Sequence, residues 1–162
     1  MGSCEYRWLC FAVGVSLLTG SFFSAGCRTM ANDSLFTTSG PGWRVQQGQA
    51  LWRPGRNYPE LGGEVVVASH QDGRCSVQFD KTPIPLVLAQ TRLTHWLIEF
   101  PARQMSFAGK DNPPPRFLWL YLRAALDGKS LPDDLHFSRK SDGGWKLENT
   151  KSGETLEGYL AP

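Results

Sequence analysis

Side chains able to act in acid–base, nucleophilic or metal chemistry are scattered along this chain. His70, His95 and His136 each lack a Cys, His or carboxylate partner at a spacing typical of metal sites. Glu64 and Glu99 are candidates for proton transfer, but both fall on the solvent side of predicted strands, where solvation explains them. Because there is no Gly-x-Ser-x-Gly and no phosphate-binding glycine loop, we predict that the protein is not an enzyme and uses no metal or cofactor. The alternative is a hydrolase or isomerase whose catalytic residues meet only in the folded chain.

The residues before Cys27 indicate which modification this cysteine undergoes. Residues 9–18 are almost entirely apolar, a run about as long as the hydrophobic part of a signal peptide and too short to span a bilayer. A run of small residues then precedes Cys27, and this arrangement resembles a bacterial lipoprotein signal. In such signals the leader, here residues 1–26, is removed and the cysteine becomes the acylated first residue. We therefore predict an exported chain anchored by lipid at Cys27; the alternative is an ordinary secretory signal cut nearby, for example after Ala31.

The use of cysteine agrees with export. Cys4 and Cys10 lie in the predicted leader and Cys27 would carry lipid, so Cys75 remains alone in the mature chain. We predict that Cys75 is a small buried side chain at the start of a strand. If Cys27 is not acylated, a Cys27–Cys75 disulfide becomes the alternative.

Length and charge limit what the mature chain can be. Removal of residues 1–26 leaves 136 of the 162 residues, which suits one domain with one core. Residues 27–42 are rich in Ser, Thr, Asn and Gly and are predicted to be a flexible tether, so residues 43–162 form the predicted domain. The net charge of +2 is small and evenly spread, so we predict no nucleic-acid partner.

Alternation of apolar and polar side chains dominates the domain and predicts strands with one buried face. About six strands are followed by a helix and about three more strands, at residues 44–52, 64–70, 75–80, through Leu86 and Leu88, 96–100, 106–109, 135–139, 144–149 and 155–160. The helix is predicted at about residues 116–126, a very apolar stretch that begins after three prolines. Because a long twisted sheet curls, we predict a mainly β (α+β) fold. It is a strongly curled antiparallel sheet, or incomplete barrel, whose concave face is covered by that helix.

Five short runs within residues 43–162 carry a resemblance to a known family. They are Gly48-Gln49-Ala50-Leu51-Trp52, Gly62-Gly63-Glu64, Lys81-x-Pro83-x-Pro85, the run from His95 to Pro101, and Ser106-Phe107-Ala108-Gly109. These runs resemble the lipoprotein carrier and receptor superfamily (LolA/LolB-like). The resemblance implies an incomplete antiparallel barrel whose concave side is closed by helices and shelters the acyl chains of lipoproteins. The predicted lipid anchor favours the membrane-bound receptor of that family over the soluble carrier, and Arg28 after Cys27 favours the outer membrane.

Apolar residues of the predicted concave face form the candidate ligand site. We expect them to line a cavity suited to acyl chains, formed by Trp52, Phe79, Leu86, Leu88, Trp96, Ile98, Phe100, Phe107, Phe117, Leu118, Tyr121 and Leu122. The predicted function is acyl binding at the periplasmic face of the outer membrane, in lipoprotein localisation. The predicted partners are a lipoprotein or other acylated cargo and the membrane, the latter through the N-terminal lipid, and the protein is predicted to be a monomer. The alternative is an envelope accessory lipoprotein with a filled core that acts as a protein-interaction module.

Overall fold

Residues 35–161, the part of the chain that a computed structural model describes, form one antiparallel sheet of nine strands. Their order across the sheet is β6-β5-β4-β3-β2-β1-β9-β8-β7. The strands are β1 (Trp43–Arg53), β2 (Leu61–His70), β3 (Cys75–Lys81), β4 (Ile84–Arg92), β5 (His95–Phe100), β6 (Met105–Lys110), β7 (Leu135–Arg139), β8 (Trp145–Asn149) and β9 (Thr155–Leu160). Within the described residues the edge strands β6 and β7 do not pair with each other, so the sheet is not closed into a barrel. The predicted mainly β, antiparallel fold of six strands followed by three is confirmed.

Two meanders make up this sheet, and their junction lies near its centre. Strands β1 to β6 follow one another as antiparallel neighbours, and strands β7 to β9 do the same. Strand β9 then pairs with β1, so that Gly158 lies opposite Ala50 and Leu156 lies opposite Trp52. A Cβ atom on Gly158 would lie 2.2 Å from the carbonyl oxygen of Gln49, so this pairing requires glycine. The first and last strands of the domain therefore hold each other in the interior of the sheet.

One face of the sheet, called the inner face from here on, carries the core. Val65, Phe79 and Val87 stand side by side on β2, β3 and β4, and each is fully buried. β-branched and aromatic side chains suit such a surface because they pack against their cross-strand neighbours. Residues between the inner positions point to the opposite, outer face, as the exposed Leu51 does beside the buried Trp52.

Residues 117–126, called the cover segment from here on, lie against the inner face. They form a 3-10 helix (Leu118–Leu120) and a five-residue helix, α1 (Leu122–Leu126). The prediction of one helix over about residues 116–126 is therefore wrong. A regular surface helix presents one polar side to water, but residues 117–122 are all apolar or aromatic and all buried. The chain instead uses i→i+3 hydrogen bonds, such as that from the Leu120 N–H to the Phe117 oxygen (3.1 Å), and buries its side chains on several sides.

Residues 35–42, the described part of the predicted tether, contain no helix or strand and contact the outer face. The Leu35 N–H donates a hydrogen bond to Gln90 Oε1 (2.7 Å), and Gln90 Nε2 donates one to the Phe36 oxygen (3.1 Å). Gln90 is a buried polar residue of β4, and these two bonds satisfy its amide. The segment that leads into β1 is therefore attached to the sheet through a side chain.

Cys75 begins β3 and is buried, as predicted. Burial raises the pKa of the Cys75 thiol to about 12, so the thiol stays protonated and unreactive at neutral pH. Its partner in the alternative disulfide, Cys27, lies outside the described residues, as does the rest of residues 1–34.

Truncation of the central side chain of the cover segment should weaken the fold strongly. Trp119 is 1% exposed and packs against Phe79 and Trp52, so we expect Trp119→Ala to lower the free energy of unfolding by about 3–5 kcal/mol. Urea denaturation followed by circular dichroism measures this change. Tyr58→Ala, the control at a residue that is 57% exposed, should change the free energy by less than about 0.5 kcal/mol. Equal losses in the two variants would show that the cover segment is not part of the core.

Candidate functional site

Three aromatic rings join the cover segment to the centre of the inner face. Trp119 stacks on Phe79 with ring centroids 4.9 Å apart, and its ring meets that of Trp52 edge-on at 5.7 Å. Trp52 in turn meets Phe79 edge-on at 6.2 Å. Such offset and edge-on contacts add to the stabilisation that comes from burial alone. The centre of the predicted ligand site is therefore occupied by the protein's own side chains.

A second aromatic group covers the inner face near the β6 edge. Phe117 lies 5.2 Å from Phe107 and 5.7 Å from Trp96, measured between ring centroids. The guanidinium of Arg116 lies over the Phe117 ring at 4.8 Å, a cation–π contact at the exposed rim of the group. The start of the cover segment is thus held by rings, with one charge facing water.

The structure brings most of the predicted site residues together on the inner face. Eight are buried in one core, namely Trp52, Phe79, Trp96, Ile98, Phe117, Leu118, Tyr121 and Leu122. Leu86, Phe100 and Phe107 are half-buried and pack against that core. Trp119, which the sequence analysis did not include, is among the most deeply buried side chains.

Leu88 does not belong with the other predicted site residues. It lies opposite Gln78 on β3 and Glu99 on β5, which places it on the outer face. The inner positions of β4 are Val87 and Ala89, both buried. Alternation beginning at Leu86 fails because the register of β3 and β4 shifts between Phe79 and Asp80, and such an irregularity changes which side chains share a face.

Polar contacts hold the cover segment and the prolines before it. The Tyr121 hydroxyl donates a hydrogen bond to the Pro113 oxygen, and Asn149 Nδ2 donates one to the Pro115 oxygen at 3.0 Å. Arg139 Nη2 donates to the Leu126 oxygen at 2.9 Å, where α1 ends. The segment is otherwise packed into the core, so its position depends mainly on apolar contact with the sheet.

A buried acid lies behind the aromatic centre. Glu154, just before β9, is 7% exposed, and its Oε1 accepts a hydrogen bond from Trp52 Nε1 at 2.9 Å. Burial raises the pKa of the Glu154 carboxyl to about 7, and the Trp52 hydrogen bond only partly opposes that shift. No spacing in the sequence points to Glu154, because it follows the turn residues Lys151-Ser152-Gly153, where a solvated carboxylate is the usual interpretation.

The outer face carries a cavity of about 650 Å³ over strands β2, β1 and β9. Its lining combines glycines of these strands with exposed apolar and charged side chains, among them Leu51, Glu64 and Tyr159. It lies on the face away from the aromatic core and is more polar than the acyl site predicted from the sequence.

Ionisation of Glu154 should make stability depend on pH. The folded-state pKa lies above the ordinary value of 4.5, so folding favours the protonated acid. The contribution of Glu154 to stability is therefore greatest below about pH 4.5 and falls as the pH rises to about 7, by roughly 2–4 kcal/mol in total. Glu154→Gln keeps an oxygen acceptor for Trp52 and should remove most of this decline in urea denaturation between pH 4.5 and 7.5. The control Glu60→Gln, at a side chain that is 55% exposed, should retain it, and a decline that persists in Glu154→Gln would exclude Glu154 as its origin.

The described residues contain no helix long and apolar enough to cross a membrane. Within residues 35–161, no group of three or more His, Cys, Asp or Glu side chains is arranged to hold a metal ion. No protein-family model matches the chain, and no curated protein matches it significantly. The arrangement of its own side chains is thus the basis for a functional assignment.

Proposed function

We propose that this protein binds the acyl chains of lipoproteins or another acylated cargo on the inner face of its sheet. In this proposal it is anchored by lipid at Cys27 to the periplasmic face of the outer membrane and takes part in lipoprotein localisation. One observation carries the proposal: an apolar inner face, open at two sheet edges, is covered by a short segment with little regular structure of its own. The cargo would enter by displacing that segment.

The energetics of such a displacement are close to balanced. Opening the cover segment exposes side chains such as Trp119 and Leu122, which are buried in the closed state. An acyl chain that takes their place recovers about 0.8 kcal/mol for each CH₂ group removed from water. Because apolar contact replaces apolar contact, binding is reversible, and a membrane that offers equal burial can take the cargo back.

Polar contacts favour a movable cover over a permanently fixed one. Trp119 Nε1 is buried and has no hydrogen-bond partner in the described part of the chain, which costs the closed state about 1–3 kcal/mol. The hydrogen bond from Tyr121 joins the segment to the prolines before it, and the bond from Asn149 joins those prolines to β8. Opening would release the indole N–H to other partners at the expense of a few hydrogen bonds.

The architecture supports the resemblance to lipoprotein carriers and receptors. An antiparallel sheet that does not close, with a covering segment against its apolar face, agrees with the incomplete barrel of that family. In the family the concave side shelters acyl chains, and here the inner face carries the equivalent apolar surface. The strongly curled form of the sheet and membership of that family remain part of the proposal.

A dense interior favours a second function, that of a protein-interaction module whose core never opens. Leu118 and Leu122 are fully buried, and the rings of Trp119 and Phe79 are in stacking contact. In that case partners would bind the outside of the domain, and no acyl chain would reach the inner face.

Weakening one polar contact of the cover segment should increase acyl binding. In the proposed opening the cover segment turns away from the prolines before it and breaks the hydrogen bond from Tyr121 to the Pro113 oxygen. Tyr121→Phe removes this bond, worth about 1 kcal/mol, and should therefore raise the apparent affinity for a fluorescent fatty acid about fivefold by favouring the open state. Fluorescence titration of residues 27–162 measures the affinity. Tyr58→Phe, at an exposed tyrosine, is the matched control and should leave it unchanged. If the unmodified protein binds no fatty acid at micromolar concentration, or if Tyr121→Phe has no effect, the interaction module is the better assignment.

The anchor has its own test, because Cys27 lies outside the described residues. The intact mass of the protein extracted from its own membranes should correspond to a chain that begins at Cys27 and carries acyl groups. Cys27→Ser should remove the acyl mass and move the protein from the outer-membrane fraction to the soluble fraction. An unacylated chain in the soluble fraction of the unmodified strain would exclude the lipid anchor, and acyl binding by the domain would then point to a soluble carrier.

A further inference from the structure

The cavity on the outer face is framed by side chains from adjacent strands in two rows. In one row Gly62 of β2 lies beside Leu51 of β1, and Leu51 lies beside Glu157 of β9. In the next row Glu64 lies beside Gln49, and Gln49 lies beside Tyr159. Glycine at the end of the first row leaves a gap among longer side chains, and this gap is part of the cavity.

Negative charge is left uncompensated on one wall of this cavity. Glu64 and Asp80 lie directly opposite each other on β2 and β3, an arrangement of like charges that destabilises a sheet. Within the described residues neither carboxylate takes part in an ion pair, whereas Glu157 is paired with Lys140 at 3.2 Å. Of the described residues, four carboxylates and two ammonium groups line the cavity, so their charge balance is negative.

Asp80 gives this wall a carboxylate with an unpaired acceptor oxygen. Its Oδ2 accepts a hydrogen bond from Gln78 Nε2 at 2.7 Å, whereas its Oδ1 is buried and has no hydrogen-bond partner within residues 35–161. A carboxylate oxygen without a donor is costly, and because Asp80 is only half-buried, a turn of its carboxylate would bring this oxygen to a cationic donor in the cavity. The acceptor and the gap at Gly62 are independent features of the same cavity.

An apolar wall faces the acidic one. Leu51 is 41% exposed and Tyr159 is 51% exposed, and both line the cavity. An aliphatic and an aromatic surface next to carboxylates suit a cation that carries an apolar body, because the body leaves water while the charge is paired.

We propose that this cavity is a binding site for small organic cations, with a primary amine or guanidinium group held by Glu64 and Asp80 and an apolar body against Leu51 and Tyr159. This site is separate from the proposed acyl site, since the two lie on opposite faces of the sheet and share no side chain. It therefore stands or falls independently of the proposed function.

Gly62 provides a variant that fills the cavity without disturbing the backbone. A Cβ atom at Gly62 would have the flexible Leu51 Cδ2 at 3.4 Å as its nearest neighbour, which is ordinary contact. The adjacent Gly63 does not tolerate such a substitution, because a Cβ atom there would clash with the backbone carbonyl oxygen of Asp80. Gly62→Val suits a strand and should place its side chain where the ligand body would lie.

Titration with phenethylamine, followed by the amide NMR signals of residues 49–51, 62–64 and 157–159, tests the site. We expect saturable binding, with 2-phenylethanol, the neutral analogue of the same shape, binding at least about tenfold more weakly. Glu64→Gln should weaken phenethylamine binding by about tenfold, and Gly62→Val should abolish it while the protein remains folded by circular dichroism. Glu148→Gln, at an outer-face carboxylate outside the cavity, is the matched control and should bind normally.

Three outcomes would overturn the proposal. They are no saturable shift up to millimolar phenethylamine, equal affinity for the neutral analogue, and unchanged affinity in folded Gly62→Val. The first would show that the cavity holds no such cation, the second that charge does not select the ligand, and the third that the ligand binds elsewhere. A fatty acid titration of Gly62→Val that matches the unmodified protein would confirm that the two faces act separately.

Discussion

The packing of Trp119 against Phe79 and Trp52 is the interaction on which the rest of the structure depends. A sheet that stays open between β6 and β7 cannot bury its apolar face by closing on itself, so another part of the chain must cover it. The cover segment does so with very few residues because aromatic side chains bury about 150–250 Å² each. Trp119 lies in the connection between the two meanders, and its contacts with Phe79 on β3 and Trp52 on β1 attach that connection to the first of them.

The burial of Glu154 follows from this packing. Among the described residues, three tryptophans of the core have buried indole N–H groups without a partner, namely Trp96, Trp119 and Trp145, whereas Trp52 donates to Glu154. Packing has therefore been favoured over hydrogen bonding in this core, and the one indole that is satisfied uses an acid whose charge is disfavoured there. Protonation of Glu154 is thereby linked to the hydrogen bond of the Trp52 ring in the core of the domain.

The strands were predictable because their signal is local. Alternating side chains and glycine turns such as that at Gly73 identify β2 and β3 without knowledge of the rest of the chain. The prediction of a single helix was wrong because an apolar run of about ten residues is compatible with several backbone conformations. Contact with the sheet decides which of them the chain adopts. The prediction that Leu88 lies on the inner face was wrong for a related reason. The register shift between β3 and β4 depends on how the two strands pair, and an alternating pattern in one strand does not reveal it.

Which residues form a site on each face depends on contacts that are distant in sequence. Glu154 meets Trp52 across 102 positions of the chain, and Glu64 meets Asp80 only because β2 and β3 pair in one register. The inner aromatic residues could still be named in advance, since large apolar side chains at alternating positions have one favourable environment. The outer cavity could not be predicted from the sequence. It depends on the missing side chain at Gly62 and on carboxylates that strand pairing brings together and leaves uncompensated. A sheet whose strands are buried on one face can thus carry a second, chemically unrelated surface on the other, since alternation assigns each side chain to one face alone.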